Sequence, residues 1–500
     1  MAAPDGGARA WLNVFATFVI YVTCVGAQYT LGIFLSALVL DTRVTGTRSL
    51  AEVSFAASLE SACFLLGPLP AGALYARLGP RGVALFGCAV AVCGALLASA
   101  ADSMPGVYAG FALLGLGCGG PMAASMTAMM SWFNLKRGTA SGLAVAGSGV
   151  GAVLLAPLLQ AQVDAGGWRQ ALRLLALLLG TTIPACAAVL RHYDAASAGA
   201  LANDGPRRDV DAAQLTSATV TDGSGIGASP TSDDASPTCV EDAIGRSLPA
   251  ESATVVVDTF MEWPEDGVVA GGAGAEGGEK APRAGARKSL AALITTPSLA
   301  WFLLYIGTFG GAWFVLIAHL NNAARSTGTS PEDAAFLVSF QGVANTAGRL
   351  IIGVGADVLR SHGVTKIMIL QMCGVIMSVT TLALAAPAAL ASAPYKLIYQ
   401  VLNGLFGGSV ASLQAPVVAD LVGLENMPAA FGLIHAVQAP LVLLLPPLAG
   451  ALRAAVGWPA VFAAAGCIVV VSTSALAFIR APLAGGGPLT LADCCRRRGA

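Results

Sequence analysis

The sequence predicts an all-α membrane protein with twelve transmembrane helices in two halves of six. Three observations support this prediction. Of the 500 residues, 56% are hydrophobic and only 11% are charged, whereas about 25% of the residues of an ordinary soluble protein are charged. Ten long windows contain no charged residue and two more contain one each, and a polar segment separates the first six of these windows from the last six. The composition therefore excludes a soluble enzyme with a polar shell, and the net charge of -1 offers no basic field for nucleic acid.

The predicted spans are the windows without Asp, Glu, Lys or Arg, since a helix needs about 20 mostly apolar residues to cross a bilayer. Two further windows, 53–76 and 334–356, each contain one charge, Glu60 and Arg349 respectively. The apolar runs are continuous, so they do not show the alternation of a β-barrel. The ten uncharged windows are 10–40, 82–101, 103–135, 138–163, 174–190, 289–324, 367–395, 397–419, 426–452 and 454–479.

The central segment differs from the rest in composition. It contains 16 of the 28 acidic residues and stretches rich in Ser, Thr, Pro and Gly, so we predict a disordered linker. A passive tether and a phosphorylation or docking segment both remain open as its role. The predicted organisation is an N-terminus at 1–10, a six-helix half at 11–190, the linker at 191–290, a second half at 291–480 and a tail at 481–500.

The basic residues predict the orientation. With the central segment set aside, 11 Lys and Arg fall on the side of the N-terminus and 7 on the other side. The excess marks the cytoplasmic side, so both termini and the linker are predicted to be cytoplasmic.

Two stretches carry a family resemblance. Residues 4–11 read PDGGARAW at the start of the first span, and residues 132–149 read WFNLKRGTASGLAVAGSG between the fourth and fifth spans. Both resemble signatures of the monocarboxylate transporter family, in the spacing of its fungal and protist branches. The stripe of Gly142, Ala146 and Gly149 places a small residue about once per helical turn, so a neighbouring helix can approach closely.

The loops after the second and eighth spans resemble each other and the Gly…Asp-Arg-x-Gly-x-Arg/Lys loop of the major facilitator superfamily. The first reads GALYARLGPR and includes Arg77 and Arg81, and the second reads GVGADVLRSHG and includes Asp357. The resemblance implies the major facilitator fold and a gating role for these charged residues. The first copy has Ala76 where Asp is usual, and anchoring plus turn geometry is the alternative role.

Arg349 is the first candidate for the substrate site, because a charge inside the membrane is costly and therefore usually functional. Its planar fork can donate two parallel hydrogen bonds to a carboxylate. In the monocarboxylate transporter family an Arg at this point of the eighth span is associated with the substrate, and an Asp precedes it by one turn. Here that position holds Asn345. A structural Arg that caps carbonyl groups is the alternative.

Glu60 is the second intramembrane charge. A carboxyl group in a low-dielectric site holds its proton more tightly, so we consider proton coupling and a plain interhelical hydrogen bond as its two roles. The estimated depths of Glu60 and Arg349 differ by about 12 Å, which argues against a direct salt bridge. The Lys that proton-and-lactate carriers of the family have in their first span is absent from residues 26–32, GAQYTLG, so that mechanism does not carry over directly.

Other polar residues on the spans complete the candidate set. Each could bind substrate or could form an interhelical hydrogen bond, which is the usual role of such a residue, and His435 could also couple to protons. No phosphate-binding Gly loop with Lys-Ser/Thr and no metal-ligand spacing is present in the sequence, so we predict no cofactor and no enzyme activity. These residues are Gln28, Tyr29, Asn403 and Gln414 for substrate, His435 for coupling, and His319 and Gln438 as lesser candidates.

The sequence thus predicts a secondary transporter in the plasma membrane that moves a small organic anion by alternating access, with or without protons. Its expected partners are the solute, the lipid bilayer and no nucleic acid. Two alternatives stay open: a carrier of a neutral or other solute on the same fold, and a non-transporting membrane sensor, which deletion of 200–285 would distinguish. The tail pair Cys494 and Cys495, next to Arg496–Arg498, fits palmitoylation or contact with anionic lipid.

Overall fold

The computed structural model describes residues 5–46, 50–193 and 288–479. The predicted linker, apart from its first and last few residues, and the Cys494–Cys495 tail lie outside the described residues. Residues 5–193 and 288–479 belong to one compact unit. Nine helical segments of this described part are long and apolar enough to cross a membrane, which agrees with a multi-pass membrane protein.

Two of the nine segments are interrupted by a glycine with a positive φ angle. Gly79 has φ 64° and Gly167 has φ 79°, a conformation that glycine adopts without steric cost. Each break lies where the sequence predicts a link between two spans. Divided at these glycines, and counted with the less apolar helix Pro331–Arg360, the described residues contain twelve long helices. How many of them cross the bilayer remains a prediction.

We number these helices α1–α12. α1 is Ala8–Leu40, with a π-helical turn at Tyr21–Val25. α2 is the stretch 50–78, which joins Leu50–Leu66, through Gly67, to the part of Pro68–Ala100 that precedes Gly79. Then follow α3 (80–100), α4 (Met104–Met130), α5 (137–166), α6 (168–189), α7 (Pro297–Ser326), α8 (Pro331–Arg360), α9 (Lys366–Ala383), α10 (Ala393–Val422), α11 (Met427–Val456) and α12 (Trp458–Ala475); short helices occupy Thr42–Thr45, Leu290–Ile294, Pro387–Ala391 and Leu476–Phe478.

Hydroxyl side chains fix where several helices of the second half begin. Ser330, Thr365 and Ser392 precede α8, α9 and α10, and each accepts a hydrogen bond from a backbone N–H of the first turn. Such a cap satisfies one of the donors that a helix start leaves unpaired. One boundary differs from the sequence prediction: α9 ends at Ala383, well before the end of the window 367–395, and Lys396 lies inside α10 rather than between spans.

The two halves meet along α5–α8 and α2–α11, where small residues let the backbones touch. A Cβ atom on Gly353 of α8 would lie 2.6 Å from the Gly138 carbonyl oxygen of α5, and one on Gly432 of α11 would lie 2.6 Å from the Pro68 carbonyl oxygen. Gly142 packs against the Arg349 carbonyl and Gly353. The close approach predicted for this stripe is therefore present, and α8 is the neighbour.

Candidate functional site

Arg349 lies at the contact between the halves and is 6% exposed. Its Nη1 donates hydrogen bonds to the Val145 carbonyl oxygen, at 2.8 Å, and to Ser148 Oγ, both on α5. Its Nη2 donates to the phenol oxygen of Tyr29 on α1, at 3.3 Å. A side chain of the second half is thus held by two helices of the first half.

The charge of Arg349 has no carboxylate partner among the described residues. The ion pairs found there join Arg137 and Lys366 to Asp420, and Arg169 to Asp102. The Nε atom of Arg349 is buried and has no hydrogen-bond partner. Because a buried cation without a counter-ion is strongly unfavourable, this arrangement is suited to receive an anion.

Helix α1 presents Tyr29 to this site after an irregular turn. The π-helical turn Tyr21–Val25 precedes it, and such turns often mark functional positions in helices. The Tyr29 side chain is 52% exposed although it contacts the buried Arg349, and Gln28 beside it is half-buried. The structure therefore brings together Arg349 and Tyr29, two of the predicted substrate residues.

Asn345, one turn before Arg349, packs α8 against α10. Its Nδ2 donates to the Gly404 carbonyl oxygen at 3.3 Å, and its own carbonyl lies against Gly408. Ser412 Oγ, one turn beyond Gly408, donates to the Arg349 carbonyl at 2.9 Å. Asn345 thus positions the backbone that carries Arg349.

Asn403 belongs to a separate buried network. Its Oδ1 accepts from Gln341 Nε2 at 3.1 Å, and its Nδ2 donates to the Tyr399 phenol oxygen at 2.9 Å. Asn403 and Tyr399 are both fully buried. The contacts of Asn403 are those of an interhelical bond between α8 and α10.

Gln414 and His435 contact each other rather than Arg349. Gln414 Nε2 lies 3.3 Å from His435 Nε2, and His435 Nδ1 lies 2.8 Å from the Phe431 carbonyl oxygen. The carbonyl requires the proton on Nδ1, so Nε2 accepts from the Gln414 amide. The two lesser candidates also have partners within the protein. His319 contacts the Pro446 carbonyl, and Gln438 donates to the Ile306 carbonyl.

Glu60 lies inside the first half, where α2 packs on α4. It is 3% exposed, and its Oε2 atom has no hydrogen-bond partner. Gly115 of α4 lies directly against the Glu60 carbonyl. None of the contacts described for Arg349 involves Glu60, which agrees with the depth argument against a direct pair.

At one end of the α5–α8 contact, Asp357 closes the start of α5. Its Oδ1 accepts from the Gly138 N–H at 3.0 Å, and its Oδ2 accepts from the N–H and Oγ1 of Thr139 at 2.6 and 2.7 Å. A carboxylate at a helix N-terminus also interacts favourably with the helix dipole. Asp357 therefore joins the two halves.

Asp420 of α10 adds a second connection at the same end. Arg137 Nη1 is 3.0 Å from its Oδ1, and Lys366 Nζ is 2.6 Å from its Oδ2. Sequence reasoning missed Asp420 because no motif surrounds it. The only signal was a lone acid directly after the window 397–419.

Arg81, in the first copy of the repeated loop, binds within its own half. Arg81 donates from Nε to the Leu190 carbonyl at 2.9 Å and from an Nη to the Ala188 carbonyl at 2.7 Å. These bonds cap the end of α6 within the first half. Arg77 is exposed. A gating role for either residue remains a prediction.

The first quoted signature is joined to the second by Asp5. Its Oδ1 accepts from the N–H groups of Asn134 and Leu135, both at 2.6 Å, and of Lys136 at 3.2 Å. Trp11 of the first signature packs edge-on against Phe133 of the second. The two stretches therefore form one local structure beside the start of α5.

A family model described as Major Facilitator Superfamily matches residues 14–388 and 299–490 of the chain. The chain belongs to this superfamily. It is a family of membrane transporters that act on small molecules, rather than of enzymes. This match confirms the prediction of the major facilitator fold.

Within the superfamily, the chain is similar to monocarboxylate transporters. Monocarboxylate transporter 13 of Rattus norvegicus is 25% identical over 476 residues, which cover 95% of this chain and 89% of the relative. Monocarboxylate transporter 14 of Homo sapiens is 25% identical over 486 residues, covering 89% of this chain and 85% of the relative. The predicted likeness to monocarboxylate transporters is therefore confirmed.

A solved structure supports the fold. The proton:xylose symporter XylE, bound to 6-bromo-6-deoxy-D-glucose, superposes with a TM-score of 0.61 at 12% identity, covering 95% of this chain and 96% of that chain. At this identity the likeness shows the architecture alone.

Proposed function

We propose that this protein moves a small organic anion of the monocarboxylate type across a membrane by alternating access, with Arg349 holding the anionic group. The observation that carries the proposal is the buried Arg349 guanidinium, which bridges the halves and has only neutral partners. A carboxylate would supply the missing counter-charge and could form two parallel bonds with the guanidinium. The likeness to monocarboxylate transporters supports the same solute class.

The position of Arg349 suits alternating access. Its helix α8 belongs to the second half, whereas its hydrogen-bond acceptors Val145, Ser148 and Tyr29 belong to the first. A movement of one half against the other must break or replace these bonds. An anion that binds more tightly to one arrangement shifts the equilibrium toward it.

The two ends of the α5–α8 contact differ in how firmly the halves are joined. Asp357 and Asp420 tie the halves together at the end where α5 begins. Tyr29 lies further along α1 and keeps half of its side chain exposed. We infer that this arrangement is closed at the α5 end and admits solute from the other end, which the orientation prediction places outside the cell.

We assign the proton-coupling role to Glu60. It is a buried carboxyl with an unpartnered oxygen in a protein that has few acids inside its helices. A neutral carboxylic acid suits such a site better than a carboxylate. Both termini and the segment 191–290 are proposed to be cytoplasmic, the helical halves to span 11–190 and 291–480, and the membrane to be the plasma membrane.

Uptake into proteoliposomes tests the proposal. Labelled lactate, pyruvate and benzoate, with a labelled sugar as neutral solute, are supplied with and without an inward proton gradient to wild type, Arg349→Ala and Arg349→Lys. Arg325→Ala, at an exposed arginine near the end of α7, is the matched control. We expect anion uptake to fall at least about tenfold in Arg349→Ala, because a charge-assisted hydrogen bond is lost, and to stay normal in the control.

Two results would contradict the proposal. Anion uptake that persists in Arg349→Ala would remove Arg349 from the site. If the neutral solute is taken up, and neither the mutation nor the gradient changes that uptake, the substrate is a neutral molecule rather than an anion.

A further inference from the structure

A second feature lies away from the central contact, where α1 begins and α6 ends. A pocket of about 240 Å³ opens there. Three of its eight lining residues are Arg9, Arg81 and Arg191, and none of the eight is acidic. Three arginine residues therefore line one cavity at the end of the molecule that is predicted to be cytoplasmic.

The backbone around the pocket is held in place by hydrogen bonds. The Arg191 N–H donates to Asn13 Oδ1 at 3.0 Å, and the indole N–H of Trp132 donates to the Arg191 carbonyl at 2.7 Å. The Nε and one Nη of Arg81 bind carbonyl groups at the end of α6. The walls thus come from α1, the start of α3, the turn after α4 and the end of α6 with the residues that follow it, so the pocket is built by tertiary packing.

The charges of this pocket are not balanced within the described part of the chain. None of the ion pairs found there includes Arg9, Arg81 or Arg191. Asp5 is the acid nearest to Arg9 in sequence, and its Oδ1 accepts hydrogen bonds from the amides of residues 134–136. An anion with several acceptor oxygens would satisfy donors that the protein leaves open.

The neighbouring surface of α1 is apolar. Leu12, which also lines the pocket, is 48% exposed, and Phe15 is 62% exposed. Residues three apart lie on the same face of a helix, so the pocket opens onto a stripe that faces hydrocarbon in a membrane. Basic pockets between helices on the cytoplasmic side are suited to phosphate-bearing lipid headgroups.

We propose that this pocket binds the phosphate-bearing headgroup of an anionic phospholipid, with the acyl chains along Leu12 and Phe15. Arg9 and Arg191 supply the charge, and Arg81 contributes the donors that α6 does not use. The site is independent of the transported solute. It would anchor the starts of α1 and α3 and the end of α6 to the inner leaflet.

Native mass spectrometry of the full-length protein tests this assignment. The protein in neutral detergent is titrated with phosphatidylinositol 4-phosphate or with phosphatidylcholine, and the bound fraction is measured. The test variant is Arg9→Gln/Arg191→Gln, which leaves the α6 cap of Arg81 intact. The control is Arg43→Gln/Arg325→Gln, which removes one exposed arginine from the short helix Thr42–Thr45 after α1 and one from the end of α7.

We expect the affinity for phosphatidylinositol 4-phosphate to fall about tenfold or more in the test variant and to remain within twofold in the control. Equal losses of affinity in both variants would show a general attraction of the lipid to basic surface and would overturn the site. No loss of affinity in the test variant would also overturn it. Displacement of the lipid by an equimolar amount of soluble glycerophosphoinositol 4-phosphate would assign the pocket to a free phosphate compound instead. If the double variant does not fold, Arg9→Gln and Arg191→Gln are compared singly, and no loss in either would overturn the proposal.

Discussion

The Asp357 carboxylate of α8 lies 2.6 Å from the Thr139 backbone nitrogen of α5 and 2.7 Å from its hydroxyl oxygen. This contact crosses from one half to the other and satisfies donors that the start of α5 would otherwise expose. The proposed alternating access would require this contact to break and re-form.

Replacing Asp357 by Asn tests this contact. The amide keeps one acceptor but loses the charge that favours a helix N-terminus, so we expect the free energy of this arrangement to rise by about 1 kcal/mol. The apparent melting temperature in detergent should fall by about 1–2 °C. Asp164→Asn, at an exposed side chain that accepts a hydrogen bond from Gln160 four residues earlier, should leave the melting temperature unchanged. Equal shifts in the two variants would refute the special role of Asp357.

Asp420 balances two cations, so its removal should leave Arg137 and Lys366 repelling each other. We expect Asp420→Asn to lower the melting temperature, by an amount limited by the partial exposure of Asp420. The diagnostic step is the second substitution. Lys366→Met in the Asp420→Asn background should recover part of the loss, because it removes the unpaired like charge, and a purely additive double variant would show that the three charges do not interact.

Gly353 should tolerate no side chain, whereas its near neighbour Gly355 should. A Cβ on Gly353 would meet the Gly138 carbonyl of the other half, while nothing lies within 4 Å of a Cβ on Gly355. Gly353→Ala should therefore destabilise the closed arrangement by about 1–3 kcal/mol, and Gly355→Ala should be neutral or slightly stabilising. Both variants replace glycine by alanine on the same helix. Similar melting temperatures would therefore mean that the α5–α8 contact does not need glycine at position 353.

Glu60→Gln should separate proton coupling from binding. The amide is close in shape to the neutral acid and cannot ionise, so anion exchange across the membrane should persist. Accumulation driven by an inward proton gradient should fall to the level seen without the gradient. Asp102→Asn, at the exposed partner of Arg169, is the control, and gradient-driven accumulation that survives in Glu60→Gln would assign coupling to another group.

The sequence predicted the helices well because the cost of placing charge in hydrocarbon leaves long uncharged windows. The same argument singled out Arg349 and Glu60, whose buried placement agrees with that selection. The argument failed at Lys396. The uncharged windows 367–395 and 397–419 make this residue a boundary between spans, whereas it lies inside α10. In the structure its ammonium group is buried and donates to the Thr327 and Thr329 hydroxyls, so its charge is compensated by polar partners from a distant part of the sequence.

The contacts between the halves could not be predicted, because they depend on how helices far apart in sequence pack against each other. The bonds from Arg349 to Val145 and Ser148 span about two hundred residues, as do those from Asp357 to the start of α5. One sequence gives the periodicity of each helix but not the register between helices. The small-residue stripe showed that a helix would approach α5 without showing that the helix would be α8.

The π-helical turn Tyr21–Val25 has a consequence for how α1 can evolve. An α-helix rotates about 100° per residue, and a π turn accommodates one residue more than an α turn. Every side chain after Val25 therefore faces a direction about 100° away from that of an uninterrupted helix, and Tyr29 reaches Arg349 in this rotated frame. Removing a single residue from the turn would point Tyr29 elsewhere without changing any contact before Tyr21. A deletion or insertion between the N-terminal signature and Tyr29 would therefore turn Tyr29 away from Arg349 even if every residue of α1 stayed apolar.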